Sequence, residues 1–272
     1  GGLALLGLIL LVGLTRYLGL TGWITASRPP QTQFIALVLL VLAALFVLLM
    51  RWPRKALFGT GILVLIALLV VLKLPALTAL AATGLRSLAG QSVSSAAASD
   101  LRWLGFSYIA FRLIHTLRDR QTGRAPASNL QEYIAYVVFF PALTAGPIDR
   151  LERFLKDLRA APAAPVADLT AALPRLAVGL LKKFVLADLL ALIALSPANA
   201  VQIRTASWLW LTLVAYSLQI FLDFSGYTDL AIGLGRLFGI RLPENFNHPY
   251  LRPNLTQFWN NWHMTLTQWF RG

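Results

Sequence analysis

Three histidines are the whole stock of imidazole in the 272 residues, and there is no cysteine. No disulfide framework, thiolate metal site or cysteine nucleophile is therefore available. Base chemistry near neutral pH then falls to histidine, which titrates there unperturbed. His263 has the best setting for it. Asn254–Phe270 reads as one helix, with Asn254 as N-cap and Gln257 three residues on. Trp259, His263, Leu266 and Phe270 would share a face of that helix, with Asn260 beside the imidazole and Asn261 next to it. A desolvated neutral imidazole with a polar neighbour can take or orient a hydroxyl proton. The bland alternative is a core histidine packed among aromatics. His248 lies in the proline-bounded loop Pro243–Tyr250, where Asn245 and Asn247 suit turns, and loop hydrogen bonding is its expected role.

Two carboxylates, Asp223 and Asp229, follow a long apolar run. Charges at membrane depth are expensive and mark function by default. On a helix Asp223 faces Tyr227 and Ser225 faces Asp229, each pair four residues apart. Gly235 and Gly239 form a G-x-x-x-G pair that lets helices approach closely. Helix packing, with the carboxylates satisfied by hydroxyls and Arg236, competes with a role in shaping a polar channel. Three histidines without cysteine argue against a metal site. No Walker motif, dinucleotide fingerprint, G-x-S-x-G or H-E-x-x-H is present.

The elements that must hold these groups are membrane helices. The chain is 57% hydrophobic and 13% charged, with a mean hydropathy of +0.67; soluble domains run near 45–50% and about 25%. The expected fold class is all-α, polytopic transmembrane helices with re-entrant segments around a polar cavity. Net charge is +13. The basic residues lie in short clusters between apolar runs, which suits cytoplasmic loops and anionic lipid headgroups and not nucleic acid. Residues 1–272 read as a single transmembrane domain truncated at both ends: there is no initiating Met or basic leader region, and the chain stops at Trp269-Phe270-Arg271-Gly272.

Clean spans are expected over Thr32–Met50, Ala56–Leu72 and Ser207–Leu222, the last ending at Asp223. Lys73–Asp100 is Ala/Ser/Gly-rich, with room for a short interfacial helix. Leu101–Leu117 carries Arg102, Arg112 and His115, so it should be shielded by other segments or re-entrant. Leu130–Ala145 should kink or end at Pro141. Asp149–Arg159 alternates in charge, with apolar residues at helical spacing, the pattern of an amphipathic helix in the cytoplasmic interface. Leu176–Leu195 holds Lys182 and Lys183, whose stems could snorkel to a basic side. Strict alternation of spans puts Arg51–Lys55 and Arg118–Arg124 opposite Arg150–Lys183, against the positive-inside rule; a re-entrant 101–117 relieves the conflict.

DFSGYTDLAIG from Asp223, PENFNHPY from Pro243 and FWNNWHMTL from Phe258 resemble, in that order, the central signature of the membrane-bound O-acyltransferase family. The branch is the one of alginate O-acetylation and teichoic acid D-alanyl transfer proteins. Phe111, Ile114 and Asp119, PALTAGPIDR (141–150) and GLLKKFVLAD (179–188) are similar to further family segments, so the likeness covers roughly 100–272. His115 and Thr116 depart from the aromatic expected nearby. His115 and Asp119 also have the H-x-x-x-D spacing of unrelated soluble acyltransferases, which reads as chance. The resemblance implies an active-site region over 223–270, with His263 as catalytic base or orienter. Asp223, Asp229, Asn245, Asn247, Asn260 and Asn261 would line the channel or position substrate. A second family histidine would lie beyond Gly272. The implied reaction moves an acyl group, acetyl first, from a thioester of coenzyme A or an acyl carrier protein to a hydroxyl of an extracytoplasmic polysaccharide or its carrier. No bound cofactor is expected. Expected partners are membrane lipids, the acyl donor and an extracytoplasmic acetyltransferase, and the expected site is the inner membrane, crossed several times. D-alanyl transfer, a transporter and a structural membrane subunit are the alternatives.

Overall fold

The structure, a computed structural model, describes residues 54–88, 92–97, 105–160 and 166–271, with three helical positions at 36, 39 and 40. Residues 1–57 and 58–272 form separate compact units, and the account below concerns the second. The expected span at Thr32–Met50 lies outside the described residues. Among the described residues every regular element is helical.

Helix α1 (Arg54–Lys73) is the expected second span. It and the helix of Ala206–Leu237 are long and apolar enough to cross a membrane. At Pro75 the chain continues into α2 (Pro75–Leu88), a longer helix than the weakly apolar segment promised. Proline has no N–H for the carbonyl of Val71, and the Thr78 hydroxyl donates to it instead, at 2.6 Å. Helix α3 (Phe106–Gln121) ends at Gly123, whose φ is +75°, with Arg124 N donating to Asp119 O at 2.8 Å. Arg112 is 2% exposed. Its guanidinium donates to the carbonyls of Tyr136, Val137 and Ala142 at 2.9–3.1 Å. Those carbonyls lie at the C-terminal ends of α4 (Leu130–Val137) and of the 3₁₀ turn at Phe140–Ala142, where regular helical partners run out. Arg112 and His115 are thus shielded by protein, as the composition of the segment required, whereas its residues 101–104 lie outside the described residues; the break falls ahead of Pro141.

Helix α5 (Leu151–Ala160) corrects one expectation. It is amphipathic, but Leu151, Phe154 and Leu155 are buried against protein, in a core with Tyr136, Ala142, Ala231, Ile232, Ile240 and Leu242. Burying such side chains is worth about 1.5–3 kcal/mol each. This face is therefore not available to a lipid interface.

The main scaffold is an antiparallel pair. One strut is α6 (Val166–Leu181), a π-helical turn (Lys182–Leu186) and α7 (Ala187–Ala191). After the short α8 (Pro197–Ala200), the other strut is α9 (Ala206–Leu237), which runs well past Asp223. The seam of the first strut is small and buried at Ala172, Gly179 and Ala187. A Cβ on Gly226 would lie 2.8 Å from Lys183 N and 3.0 Å from Gly179 O, so the backbones touch there. The expected G-x-x-x-G packing pair does something else. Gly239 (φ +74°) terminates α9, with Ile240 N bonding Gly235 O at 2.9 Å and Gly239 N bonding Arg236 O at 2.9 Å. Close packing falls instead to Gly179, Gly226 and Gly233.

Candidate active site

The expected single helix over Asn254–Phe270 is two: α10 (Leu255–Asn261) and α11 (Met264–Arg271). Asn254 caps the first as expected, its side chain accepting from Gln257 N at 2.8 Å. Trp262 is extended, and His263 has φ +45°, in the left-handed region. His263 O accepts from Leu266 N and Thr267 N at 3.1 and 3.2 Å, so the histidine stands at the head of α11. The helical stripe therefore dissolves: Trp259 and Phe270 are exposed. The imidazole instead meets the edge of Phe224 on α9, with ring centroids 4.8 Å apart. Phe246 bridges Phe224 and Trp262, and Trp262 stacks on Phe258. Local periodicity could not see this break, because what wins is hydrogen bonding to a distant loop.

That loop is Pro243–Tyr250. Asn245 is fully buried. Its carbonyl accepts from Met264 N at 2.9 Å. Its Oδ1 accepts from Thr265 Oγ1 at 2.5 Å and Thr265 N at 3.4 Å, and its Nδ2 donates to Thr228 Oγ1 at 3.5 Å. Asn247 N donates to Asn261 O at 3.0 Å, and Asn247 O accepts from Arg252 at 2.8 Å. The loop thus clasps the chain on both sides of His263. Asn260 is not beside the imidazole: its Oδ1 accepts from Arg271 at 2.5 Å. The Asn261 side chain turns back to Gln257 O at 2.8 Å.

His263 Nε2 is buried and has no hydrogen-bond partner among the described residues. Burial pulls the imidazole down to about 4, so it is neutral at pH 7. A neutral ring in an aromatic surround can accept a proton or hold a hydroxyl, which is the requirement for a base.

The carboxylates sit on α9 as expected, but their partners differ. Asp223 pairs with Lys183 at 2.5 Å and is half exposed. Asp229 is buried between Arg175 and Lys182, both at 2.7 Å, and Arg175 also reaches Glu244. Tyr227 bonds Thr144, not Asp223, and Ser225 Oγ has no partner among the described residues. Lys182 and Lys183 therefore pair across the seam and do not snorkel. They also leave the tally of loop charges that conflicted with the positive-inside rule. Arg175, Lys182 and Lys183 were missed as partners because they lie 40 or more residues from the aspartates. The available signal was a match of two lysines to two carboxylates, all in apolar runs.

His115 Nε2 lies 3.5 Å from Asp119 Oδ2, one helical turn away. With Asp149, Arg150, Arg153, Thr265 and Gln268 it lines a cavity of about 140 Å³. Asp149 Oδ1 pairs with Arg153 at 2.9 Å, and burial pushes the carboxyl up to about 6. Thr265 joins this side to the histidine turn, its Oγ1 accepting from Ile148 N at 3.0 Å. Among the described residues no group of three or more His, Cys, Asp or Glu could hold a metal.

The three motifs read in sequence thus come together: the α9 carboxylate segment, the asparagine loop and the histidine turn pack on one another. A family model for the membrane-bound O-acyltransferases (MBOAT) matches residues 55–271. The chain belongs to this family. All-α membrane architecture follows from membership and agrees with the helices described. Among similar proteins is the one named probable alginate O-acetylase of Pseudomonas syringae pv. tomato, 38% identical over 169 residues, which are 62% of this chain and 32% of that protein. Its namesake in Azotobacter vinelandii is 39% identical over 169 residues, 62% of this chain and 34% of the relative. The teichoic acid D-alanyltransferase of Streptococcus thermophilus is 34% identical over 179 residues, 64% of this chain and 43% of that protein. The chain thus spans a third to under half of the length of these MBOAT relatives.

Proposed function

We propose that the intact protein is a membrane-bound O-acyltransferase that moves an acyl group, acetyl first, from a thioester to a hydroxyl of an extracytoplasmic polysaccharide or its carrier. The observation that carries this is His263: a desolvated, neutral imidazole with an unpartnered Nε2, at a helix break built by three distant segments. In this reading His263 accepts or orients the acceptor hydroxyl proton as oxygen attacks the thioester carbonyl. The thiol leaves, and the proton passes to it. Acetyl-CoA or an acyl carrier protein supplies the thioester, and an extracytoplasmic acetyltransferase is the partner that would finish delivery. The setting is the inner membrane, crossed several times. D-alanyl transfer is the second reading, favoured by relatives of that name at similar identity.

His263→Gln and His263→Ala in the intact protein test the role. Transfer should fall at least about a hundredfold, the usual worth of acid–base help, with yield and thermal stability near the parent's. Transfer by His263→Gln near the parent rate would exclude His263 as the base. A loss that only follows the amount of folded protein would leave it a packing residue.

A further inference from the structure

The backbone at His263 is a position that side chains seldom adopt. A left-handed conformation is unfavourable for a non-glycine residue and persists where surroundings over-determine it. The surroundings here converge on one residue. Asn245 takes Met264 N on its carbonyl and both Thr265 N and Thr265 Oγ1 on Oδ1. These are the two residues that follow the histidine. Its Nδ2 turns to Thr228 on α9, the helix whose Phe224 packs on the imidazole. Its orientation is set by Thr265 N, a donor that only the amide oxygen can meet. At zero exposure, with Oδ1 taken by Thr265 and Nδ2 turned to Thr228, Asn245 is buried in the scaffold and not presented to a substrate.

We propose that Asn245 is a positioning residue for His263: by holding Met264 and Thr265 it fixes the left-handed turn that aims the imidazole. The consequence for rate rests on the catalytic reading of His263; the consequence for the ring does not. An amide is needed because one end must accept twice while the other donates. Aspartate would bury a charge or lose the donor, and an aliphatic would leave Thr265 N and Thr228 Oγ1 unpaired. Thr265 is the second half of the device, since its hydroxyl also receives Ile148 N.

The test uses the intact protein with isotope-labelled histidine, the His263 signal being assigned by its loss in His263→Gln. Asn245→Ala, Thr265→Val and Thr265→Ser are compared for imidazole titration and for transfer. In Asn245→Ala and Thr265→Val the midpoint should climb from near 4 toward 6.5 as the ring loosens into solvent. kcat should fall roughly 10–100-fold, as misplacement of a reacting group does, with KM little changed. Thr265→Ser keeps the hydroxyl and should match the parent in both. An unchanged titration in Asn245→Ala and Thr265→Val overturns the positioning role, whatever happens to the rate. A shifted titration with undiminished transfer leaves positioning intact and removes His263 from catalysis. If Asn245→Ala does not accumulate, the Thr265 pair decides the same question.

Discussion

Asp149 is 4% exposed, and its Oδ2 is unpaired among the described residues, which makes ionisation costly. Its carboxyl is pushed from 3.8 to about 6, chiefly by burial, with Arg153 opposing. The folded state thus keeps a proton that the unfolded chain releases between those values. The resulting stability is present below the unfolded value and is lost as pH rises through 6. Asp149→Asn keeps an acceptor for Arg150 N and removes the titration. Thermal unfolding in detergent should be unchanged near pH 3, already shifted upward at pH 5 and shifted furthest at pH 8. A downward shift at pH 8 would mean that the Arg153 pair outweighs desolvation. At this scale the sequence was partly legible. His263 stood out by type and neighbours, and the asparagines by their loop. What each asparagine bonds was not legible, because Asn245 meets Thr265 and Thr228 across 20 and 17 residues, where no periodic pattern reaches.

Between elements the decisive contact is the crossing of α6 and α9. Gly226→Ala places a methyl 2.8 Å from Lys183 N, a backbone atom that cannot step aside. Overpacking of this kind costs about 1–3 kcal/mol, so the unfolding temperature of the intact protein should drop. Gly84→Ala, on the exposed face of α2, meets nothing within 4 Å and serves as control. It should be neutral or stabilising by up to about 1 kcal/mol. Equal behaviour of the two variants would show that the struts are not in backbone contact. Apolar runs announced α1 and the first half of α9. They did not announce that α9 passes through Asp223, since the neutralising lysines belong to another helix. The amphipathic pattern of α5 was read correctly and its neighbour was not, for a stripe of leucines looks alike facing lipid or facing Tyr136.

Taken whole, the described part is threaded by a helix too long for one bilayer. At about 1.5 Å per residue, the 32 residues of α9 outreach a hydrocarbon core of about 30 Å. The chain just past its C-terminal end is tied to α5: Arg241 N donates to Asp157 at 2.8 Å, and Arg153 donates to Arg241 O at 3.0 Å. The basic residues of α5 argue for the cytoplasmic side. These 272 residues contain no cysteine, so with any cysteine elsewhere in the intact protein replaced, single cysteines report cleanly. Glu152→Cys should react with a membrane-impermeant maleimide only from the cytoplasmic face. Val201→Cys, ahead of α9, should react only from the other. Labelling of both from one face would mean that α9 does not cross.

The π-helical turn at Lys182–Leu186 has a consequence in insertions and deletions. The small buried residues of its strut, Ala172, Gly179 and Ala187, are spaced seven and eight apart. The long interval contains the turn. Counted this way, the strut is a heptad helix carrying one extra residue, and the wider turn absorbs the slip in phase. The extra residue also narrows the angle between neighbouring side chains, so that consecutive lysines reach two carboxylates six positions apart on α9. Deleting one residue within 184–186 would restore an unbroken heptad and keep the small seam. It would also leave a single lysine facing α9, so a shortened chain could fold along the same line and still strand one aspartate at membrane depth.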